Sequence, residues 1–303
     1  MVGVVEPDIW KFQAHPEVWL LMLSIIGLGI YAVRVVGPKV VRDGEPVTRS
    51  QKRWFVAAVV VLWTAADYPV HDIAEKYLYS VHMLQHLMIT MVAAPMFLLA
   101  TPTWLAELVL GRGRARTAIT KLCRPVVAGV AFNAAFVFTH WPSAVNTSVS
   151  SAPIHYGLHL LIFSTALLMW MPVCGPLPEL LLSLPAQMIY LFCQSIVPTI
   201  PSAFLLFADS PIYSSYVHAY TVAGMDAVAD QQTAGVLMKL GAGVFLWFLI
   251  SVLFARWARR NMEAERMGVA VTERDLLTWE SVEAELARLE AVAPAPVEHA
   301  PPD

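Results

Sequence analysis

Seven long apolar stretches dominate this chain and restrict the folds that are open to it. They run for about 17 to 28 residues each, at roughly 17–37, 54–70, 79–101, 125–142, 152–172, 181–208 and 231–255. About 20 apolar helical residues cross the hydrocarbon core of a bilayer, and a helix satisfies its own backbone hydrogen bonds there. We therefore predict an all-α, polytopic membrane protein with seven transmembrane helices and the lipid bilayer as its first partner.

The composition supports this prediction and excludes other classes of protein. Hydrophobic residues make up 57% of the chain and charged residues 14%, whereas soluble domains carry about 25% charged residues. The net charge is −3 and no basic face is evident, so we expect no nucleic-acid partner. The three cysteines form no C-x-x-C pair, so neither a disulfide framework nor a thiolate metal site is indicated.

The positions of the lysines and arginines predict the orientation in the membrane. They concentrate after the first, third and seventh stretches, whereas the loops 143–151 and 209–230 contain neither residue type. The positive-inside rule then places the N-terminus outside and the C-terminus in the cytoplasm. Residues 1–260 would form the seven-helix domain. Residues 261–303 would form a cytoplasmic amphipathic helix that begins near Thr272, followed by a disordered tail.

Two histidine pairs inside the apolar stretches are the strongest functional signal. His82 and His86 lie in the third stretch, and His155 and His159 lie in the fifth. In each pair the i,i+4 spacing puts both rings on one face of a helix. Ionisable side chains in a membrane are costly, and they usually face the bundle interior and mark a site. A buried histidine can also be a structural residue bonded to a carbonyl or a hydroxyl, and this alternative stays open.

Further polar residues fall at the same predicted end of the bundle. The outer ends of the second, fourth and seventh stretches carry Asp67, His71, Asp72, His140, Asp230 and Gln231. Because five separate parts of the chain place polar groups on one side, we expect one polar site that faces the extracytoplasmic compartment. Asp67 and Asp72 would orient ligating rings. Asp226 and Asp230 could instead cap the seventh helix.

The types of donor atom limit the ligand that such a site binds. Imidazole suits copper, zinc and iron, and nearby thioethers shift the preference towards Cu(I). Met83 lies between the histidines of the third stretch. We therefore predict a metal site, with Cu(I) favoured, whose ligands come from His71, His82, His86, His155 and His159. In this prediction Met83, His140, Asp230 and Gln231 surround the ligands.

Four stretches also carry a resemblance to a known family. They are SVHMLQHLMITMVAAPMFLLATP, APIHYGLHLLIFSTALLMWMPV, SPIYSSY and ADQQTAGVLMKLGAG, and they spread over most of residues 67–250. The motifs H-M-x-Q-H and A-D-Q-x-x-A-G together resemble the CtaG family of cytochrome c oxidase assembly proteins. The resemblance implies a multi-pass protein of the bacterial plasma (inner) membrane that handles copper for haem-copper oxidase subunits, with other copper chaperones as further partners. It also implies that His82, His86, His155 and His159 bind the copper.

Other functions stay open at this stage. A bis-histidine haem protein would use ligands from two helices, and a scaffold that only holds oxidase subunits would need no metal. A zinc hydrolase is disfavoured because H-M-L-Q-H lacks the glutamate of H-E-x-x-H, so we expect no enzyme activity. An ion transporter is disfavoured because the ionisable groups stop about halfway across the predicted bundle and no inverted repeat of broken helices is visible.

Overall fold

The computed structural model describes residues 10–111, 113–217, 222, 224–266 and 283–284. Over these ranges the protein is helical and contains no strand, apart from one isolated bridge between Val222 and Met225. The helices are α1 (Pro16–Val40), α2 (Arg49–Ala66), α3 (Val70–Lys76), α4 (Tyr79–Ala100), α5 (Thr103–Leu110), α6 (Arg114–Leu122), α7 (Pro125–Thr139), α8 (Pro142–Ser150), α9 (Ala152–Cys174), α10 (Leu184–Gln194), α11 (Thr199–Leu206) and α12 (Ala227–Arg266). Short 3-10 turns lie at Pro178–Leu180 and Ser214–Tyr216. The predicted all-α class is confirmed for this part of the chain.

Six helical segments are long and apolar enough to cross a membrane. They are α1, α2 with α3, α4, α9, α10 with α11, and α12. The predicted fourth span is shorter, since α7 has 15 residues and measures only about 22 Å. It becomes a seventh span only together with α6, from which it is bent by 71°. The bend follows from Pro125, because a residue before proline avoids helical geometry and Arg124 is extended.

Several predicted boundaries change for identifiable reasons. Helix α2 begins at Arg49, before the predicted residue 54, because Thr48 and Gln51 form a capping box there. Residues 143–150 of the predicted loop 143–151 form α8, which starts with Pro142 in its first turn. The break expected near Pro198 is confirmed, since α10 ends at Gln194 and α11 starts at Thr199. The predicted tail helix lies outside the described residues, except for 283–284, which are helical.

Helix α4 occupies the middle of the bundle and packs against α2, α9 and α12. The indole of Trp170 on α9 is buried and donates to the carbonyl oxygen of Thr90 on α4 over 2.8 Å. Two of these helices contain a wider π-helical turn, at Met88–Ala93 in α4 and at Leu237–Gly241 in α12. Such turns are rare and occur frequently at functional sites. The contacts with α2, α9 and α12 fix the position of α4, the helix that carries His82 and His86.

Helix α12 approaches α11 closely at Gly235, and this contact yields the first prediction. A Cβ atom there would lie 2.9 Å from the carbonyl oxygen of Ser202 and 3.2 Å from the backbone nitrogen of Leu206. Backbone atoms cannot rotate away, so we expect Gly235→Ala to lower the free energy of unfolding by about 1–3 kcal/mol. Thermal unfolding in detergent would measure the change.

The matched control for this substitution lies on the same helix. Gly243 has no atom within 4 Å of a Cβ, so Gly243→Ala should be neutral or stabilise the helix by up to about 1 kcal/mol. Equal shifts in melting temperature for the two variants would contradict the packing described for Gly235.

Candidate metal centre

Seven of the nine histidines in the sequence meet at one end of the helical bundle. They are His15 before α1, His71 in α3, His82 and His86 in α4, His140 after α7, and His155 and His159 in α9. We call these seven residues the histidine cluster. The other two histidines, His218 and His299, lie outside the described residues. Helices α4 and α9 both begin at this end, so their early turns carry the two pairs into the same layer.

The two predicted pairs stand in direct ring contact across α4 and α9. Ring centroids lie 4.9 Å apart for His86 and His159, 5.6 Å for His82 and His159, and 5.8 Å for His82 and His155. Within each helix the paired rings are 4.4 Å apart. The structure thus brings together the four residues that the i,i+4 spacing singled out.

Three of these rings form a group that could hold one metal ion. One ring nitrogen each of His82, His86 and His159 lies within 4.8 Å of the other two. We call these three residues the trihistidine site. Nitrogens that share an ion stand at most about 4 Å apart, since each lies about 2 Å from the metal. Small side-chain rotations therefore suffice to bring all three onto one ion. A cavity of about 10 Å³ lies among these rings.

The ring nitrogens of the paired histidines lack the partners that a structural role requires. Both nitrogens of His86 and of His155, Nδ1 of His82 and Nε2 of His159 have no hydrogen-bond partner among the described residues. His82, His86 and His155 are 7%, 8% and 3% exposed. A buried polar group without a partner costs about 1–3 kcal/mol. The donor set thus fits a ligand that accepts nitrogen lone pairs.

His71 belongs to a second group, next to the trihistidine site. His71, Glu75 and His155 each offer one ligand atom within 4.8 Å of the others, and the rings of His71 and His155 are 5.6 Å apart. Protein atoms already hold the His71 ring: Gln85 Nε2 lies 3.3 Å from its Nδ1, and Glu75 lies 3.4 Å from its Nε2. The predicted ligand His71 therefore stands in a different environment from the trihistidine site.

Charged residues lie beside the histidine cluster, next to His15. His15 Nε2 lies 3.0 Å from a carboxylate oxygen of Asp72, whose other oxygen accepts from Lys76 over 2.9 Å. Burial disfavours the imidazolium, but the carboxylates of Asp72 and Glu17 outweigh this effect and raise the pKa of His15 above its ordinary value. The rings of His15 and His71 are 5.0 Å apart. The Asp72 carboxylate thus orients His15, which was not among the predicted ligands.

The other predicted neighbours of the ligands have structural contacts. Asp67 accepts from the indoles of Trp19 and Trp63 at 2.8 Å and so ties α1 to α2. It makes none of its described hydrogen bonds to a histidine, which corrects the prediction that it orients a ring. Gln231 accepts from the backbone nitrogen of Ile212 at 2.6 Å and donates to the carbonyl oxygen of Leu205 at 3.3 Å.

Asp230 fixes the start of the helix that carries the first histidine pair. Its carboxylate accepts from the backbone nitrogens of Tyr79 and Ser80, at 2.7 and 3.0 Å, and from the Ser80 hydroxyl. These nitrogens lie in the first turn of α4, where a negative charge also complements the helix dipole. The alternative that Asp226 and Asp230 cap α12 is confirmed for Asp226, which accepts from the backbone nitrogen of Ala229 over 2.8 Å. It is wrong for Asp230, whose carboxylate caps α4 instead.

Met83 and His140 extend the cluster towards the bundle interior. The rings of His86 and His140 are 5.5 Å apart. His140 Nδ1 lies 2.6 Å from the carbonyl oxygen of Phe136, and its Nε2 has no hydrogen-bond partner among the described residues. Met83 lines the cavity at the trihistidine site and also a second cavity beyond it.

Three residues of the site were missed by the sequence reasoning, and two of them carried a usable signal. Glu75 follows His71 by four residues, so helical spacing alone places it beside that ring. His15 lies two residues before the first apolar stretch and therefore at the predicted outer level. Gln85 donates to the carbonyl oxygen of Ala65 over 2.7 Å and so reaches α2. Nothing local in the sequence indicates that tertiary contact.

Comparison with models of known families assigns the chain to one of them. The family model of the cytochrome c oxidase caa3 assembly factors (Caa3_CtaG) matches residues 29–260. The match includes every member of the histidine cluster except His15, and it confirms the resemblance seen in the motifs. No curated protein and no solved structure gives a significant match to the chain. The protein therefore belongs to the family of cytochrome c oxidase caa3 assembly factors.

Proposed function

We propose that this assembly factor binds copper at the trihistidine site and delivers it to a subunit of a haem-copper oxidase. One observation carries the proposal: four imidazoles from two helices converge in the apolar bundle, and six of their ring nitrogens have no hydrogen-bond partner among the described residues. Because each such buried group is costly, a bound metal gives the arrangement a physical reason. In this proposal the protein is a metallochaperone and not an enzyme.

Copper as Cu(I) is the ion that the donor set favours. The site offers neutral imidazoles, with Met83 beside them, and its cavity is lined by neither a carboxylate nor a cysteine. Imidazole and thioether donors suit Cu(I), whereas carboxylate and water suit harder ions. Of the three cysteines, none lies in this cavity or in the described metal-binding groups. The bound copper ion would therefore be held by nitrogen ligands, which can be replaced one at a time.

The proposed orientation places the histidine cluster on the extracytoplasmic face of the inner membrane. The basic residues lie at the opposite ends of the same helices: Lys39 in the last turn of α1, Arg49 at the start of α2, and Arg259 late in α12. The positive-inside rule assigns that end to the cytoplasm. Copper would then arrive from outside, past His15, Asp72 and the group of His71, Glu75 and His155. Other copper chaperones and the oxidase subunits would approach the same face.

Copper stoichiometry tests this proposal. We expect the purified protein, loaded with Cu(I) under a reductant and desalted, to retain copper. The variant His82→Ala/His86→Ala/His159→Ala should lose the equivalent that the trihistidine site holds. His299→Ala is the matched control, since it removes a histidine beyond the family match and should change nothing. Equal copper content in the wild-type protein and the triple variant would refute copper binding at this site.

Two alternative functions have distinct readouts. In a scaffold that holds oxidase subunits without metal, the triple variant would still restore oxidase activity to a strain that lacks the gene. A haem protein is favoured by a second observation, a cavity of about 430 Å³ beside His71, His155 and His159 that is otherwise lined mainly by apolar side chains, a volume in the range of ligand pockets. A Soret band in the purified protein that is lost in His155→Ala would favour haem over copper.

A further inference from the structure

A second cavity lies deeper in the bundle than the trihistidine site. It is enclosed by α4, α7, α9, α12 and the end of α10, and it has a volume of about 20 Å³. Its lining includes two histidines and four methionines: His86, His140, Met83, Met91, Met169 and Met238. We call this cavity the inner chamber. Met91 follows His86 by more than one helical turn, and Met169 follows His159 by almost three, so the chamber lies on the interior side of the cluster.

The size of the inner chamber restricts its occupant. A cavity needs about 10–15 Å³ to hold one water molecule, so a volume of about 20 Å³ admits a single small species and no organic ligand. A water molecule needs two to four polar partners. A single ion instead needs lone pairs directed at it. The choice between the two depends on the chemistry of the lining.

The orientation of His140 supplies one such lone pair. Its Nδ1 lies 2.6 Å from the carbonyl oxygen of Phe136 and must carry the hydrogen, because a carbonyl oxygen can only accept. In the neutral ring Nε2 then bears the free lone pair, and a hydrogen bond of this kind is what fixes the ring of a metal-binding histidine. His140 is 4% exposed, and its Nε2 has no hydrogen-bond partner among the described residues.

The methionines make the lining soft. Its other polar side chains, Thr90 and Gln194, are uncharged and already hydrogen-bonded, to the carbonyl oxygen of His86 and to Asn133. Four of the thirteen methionines in the chain border this one small cavity, and neither a carboxylate nor a cysteine borders it. Met91 and Met238 both lie in the π-helical turns of α4 and α12. Thioethers select Cu(I) over harder ions. Neutral donors in an apolar interior also favour a monovalent ion, because the cost of burying a charge rises with the square of that charge.

We propose that the inner chamber is a second metal site, in which His140 Nε2 and the thioethers of Met91, Met169 and Met238 bind a soft monovalent cation of the Cu(I) type. The identification of this cation as copper rests on the proposed function. His86 borders both cavities and has two unpartnered ring nitrogens. An ion could therefore pass from the trihistidine site to the chamber by exchanging one ligand at a time around His86, with no change of oxidation state.

The test uses Ag(I), a soft monovalent ion that does not change oxidation state under the assay conditions. The full-length protein in detergent is loaded with Ag(I), desalted, and analysed for bound metal. We expect two equivalents in the wild-type protein and one in Met91→Leu/Met169→Leu/Met238→Leu. Methionine-to-leucine changes conserve volume and usually cost under about 1.5 kcal/mol each. The number-matched control Met22→Leu/Met171→Leu/Met188→Leu, whose residues do not line the chamber, should keep two equivalents.

Two further variants separate this inference from the proposed function. His140→Asn keeps an amide donor near the Nδ1 position and removes Nε2, so it should also bind one equivalent. His82→Ala/His159→Ala spares the chamber lining and should retain the chamber equivalent, with sulfur neighbours visible by X-ray absorption at the silver edge. One equivalent in the wild-type protein that survives the methionine changes would overturn the second site and leave the proposed function intact. No retained Ag(I) in any variant would count against both.

Discussion

A deletion strain that expresses His82→Ala/His86→Ala/His159→Ala is expected to show no more haem-copper oxidase activity than the strain without the gene. One ring nitrogen of each residue lies within 4.8 Å of the other two, so removal of the three rings eliminates the trihistidine site. Loss of a residue that only supports a metal ligand already lowers metal affinity by about 10–100-fold. Loss of three ligands should lower copper affinity by more than about 100-fold.

The stability of the metal-free protein distinguishes this effect from misfolding. Each removed ring leaves a cavity, but it also takes away buried nitrogens that have no described partner, so the two effects on the free energy of unfolding oppose each other. We expect similar melting temperatures for the metal-free variant and the metal-free wild-type protein. Copper should raise the melting temperature of the wild-type protein alone. A variant that reaches the membrane in normal amounts and restores full oxidase activity would contradict the account.

Asp230→Ala is expected to have the largest effect on stability. The buried carboxylate accepts two backbone hydrogen bonds and one hydroxyl hydrogen bond at the first turn of α4. Hydrogen bonds to a charged group contribute about 1.5–3 kcal/mol each, and their effects overlap at one site. We expect the free energy of unfolding to fall by about 3–5 kcal/mol, as for other buried charge networks that are broken.

Asp226→Ala is the matched control for this substitution. Asp226 caps α12 with a single hydrogen bond at the surface, and loss of such a cap costs about 1 kcal/mol. Because Asp230 positions the turn that precedes His82, its loss should also weaken copper binding, whereas the control should bind normally. Equal destabilisation by the two variants in chemical or thermal unfolding would show that Asp230 does not anchor α4.

The sequence contained enough information to place the paired histidines. Helical spacing puts His82 with His86 and His155 with His159 on single faces, and both pairs fall early in their apolar stretches. The two pairs are then expected at the same depth in the bundle, because both helices are predicted to run in the same direction. The same reasoning extends to His15 and Glu75. These residues depend only on local periodicity and on position along a span, which a sequence carries directly.

Other parts of the site depend on contacts that no local pattern encodes. Asp230 lies in the first turn of α12, yet its carboxylate accepts a hydrogen bond from Ser80 of α4, 150 residues earlier in the sequence. Asp67 lies at the same end of the bundle as the histidine cluster, but its carboxylate accepts hydrogen bonds from two indoles. The π-helical turns that carry Met91 and Met238 have no sequence signature of their own. Tertiary packing decides each of these cases, so they could be found only in the folded structure.

X-ray absorption at the copper edge of the Cu(I)-loaded protein reports the atoms bound to the metal, so it shows whether the histidines of α4 and α9 share one ion. The account predicts imidazole nitrogens at about 2 Å, with the outer-shell scattering that identifies histidine rings. That signal should fall sharply in His82→Ala/His86→Ala/His159→Ala, where sulfur neighbours from the inner chamber would dominate, and stay unchanged in His299→Ala. Copper bound by oxygen alone, or an identical spectrum in the triple variant, would contradict the convergence of the α4 and α9 histidines on one metal.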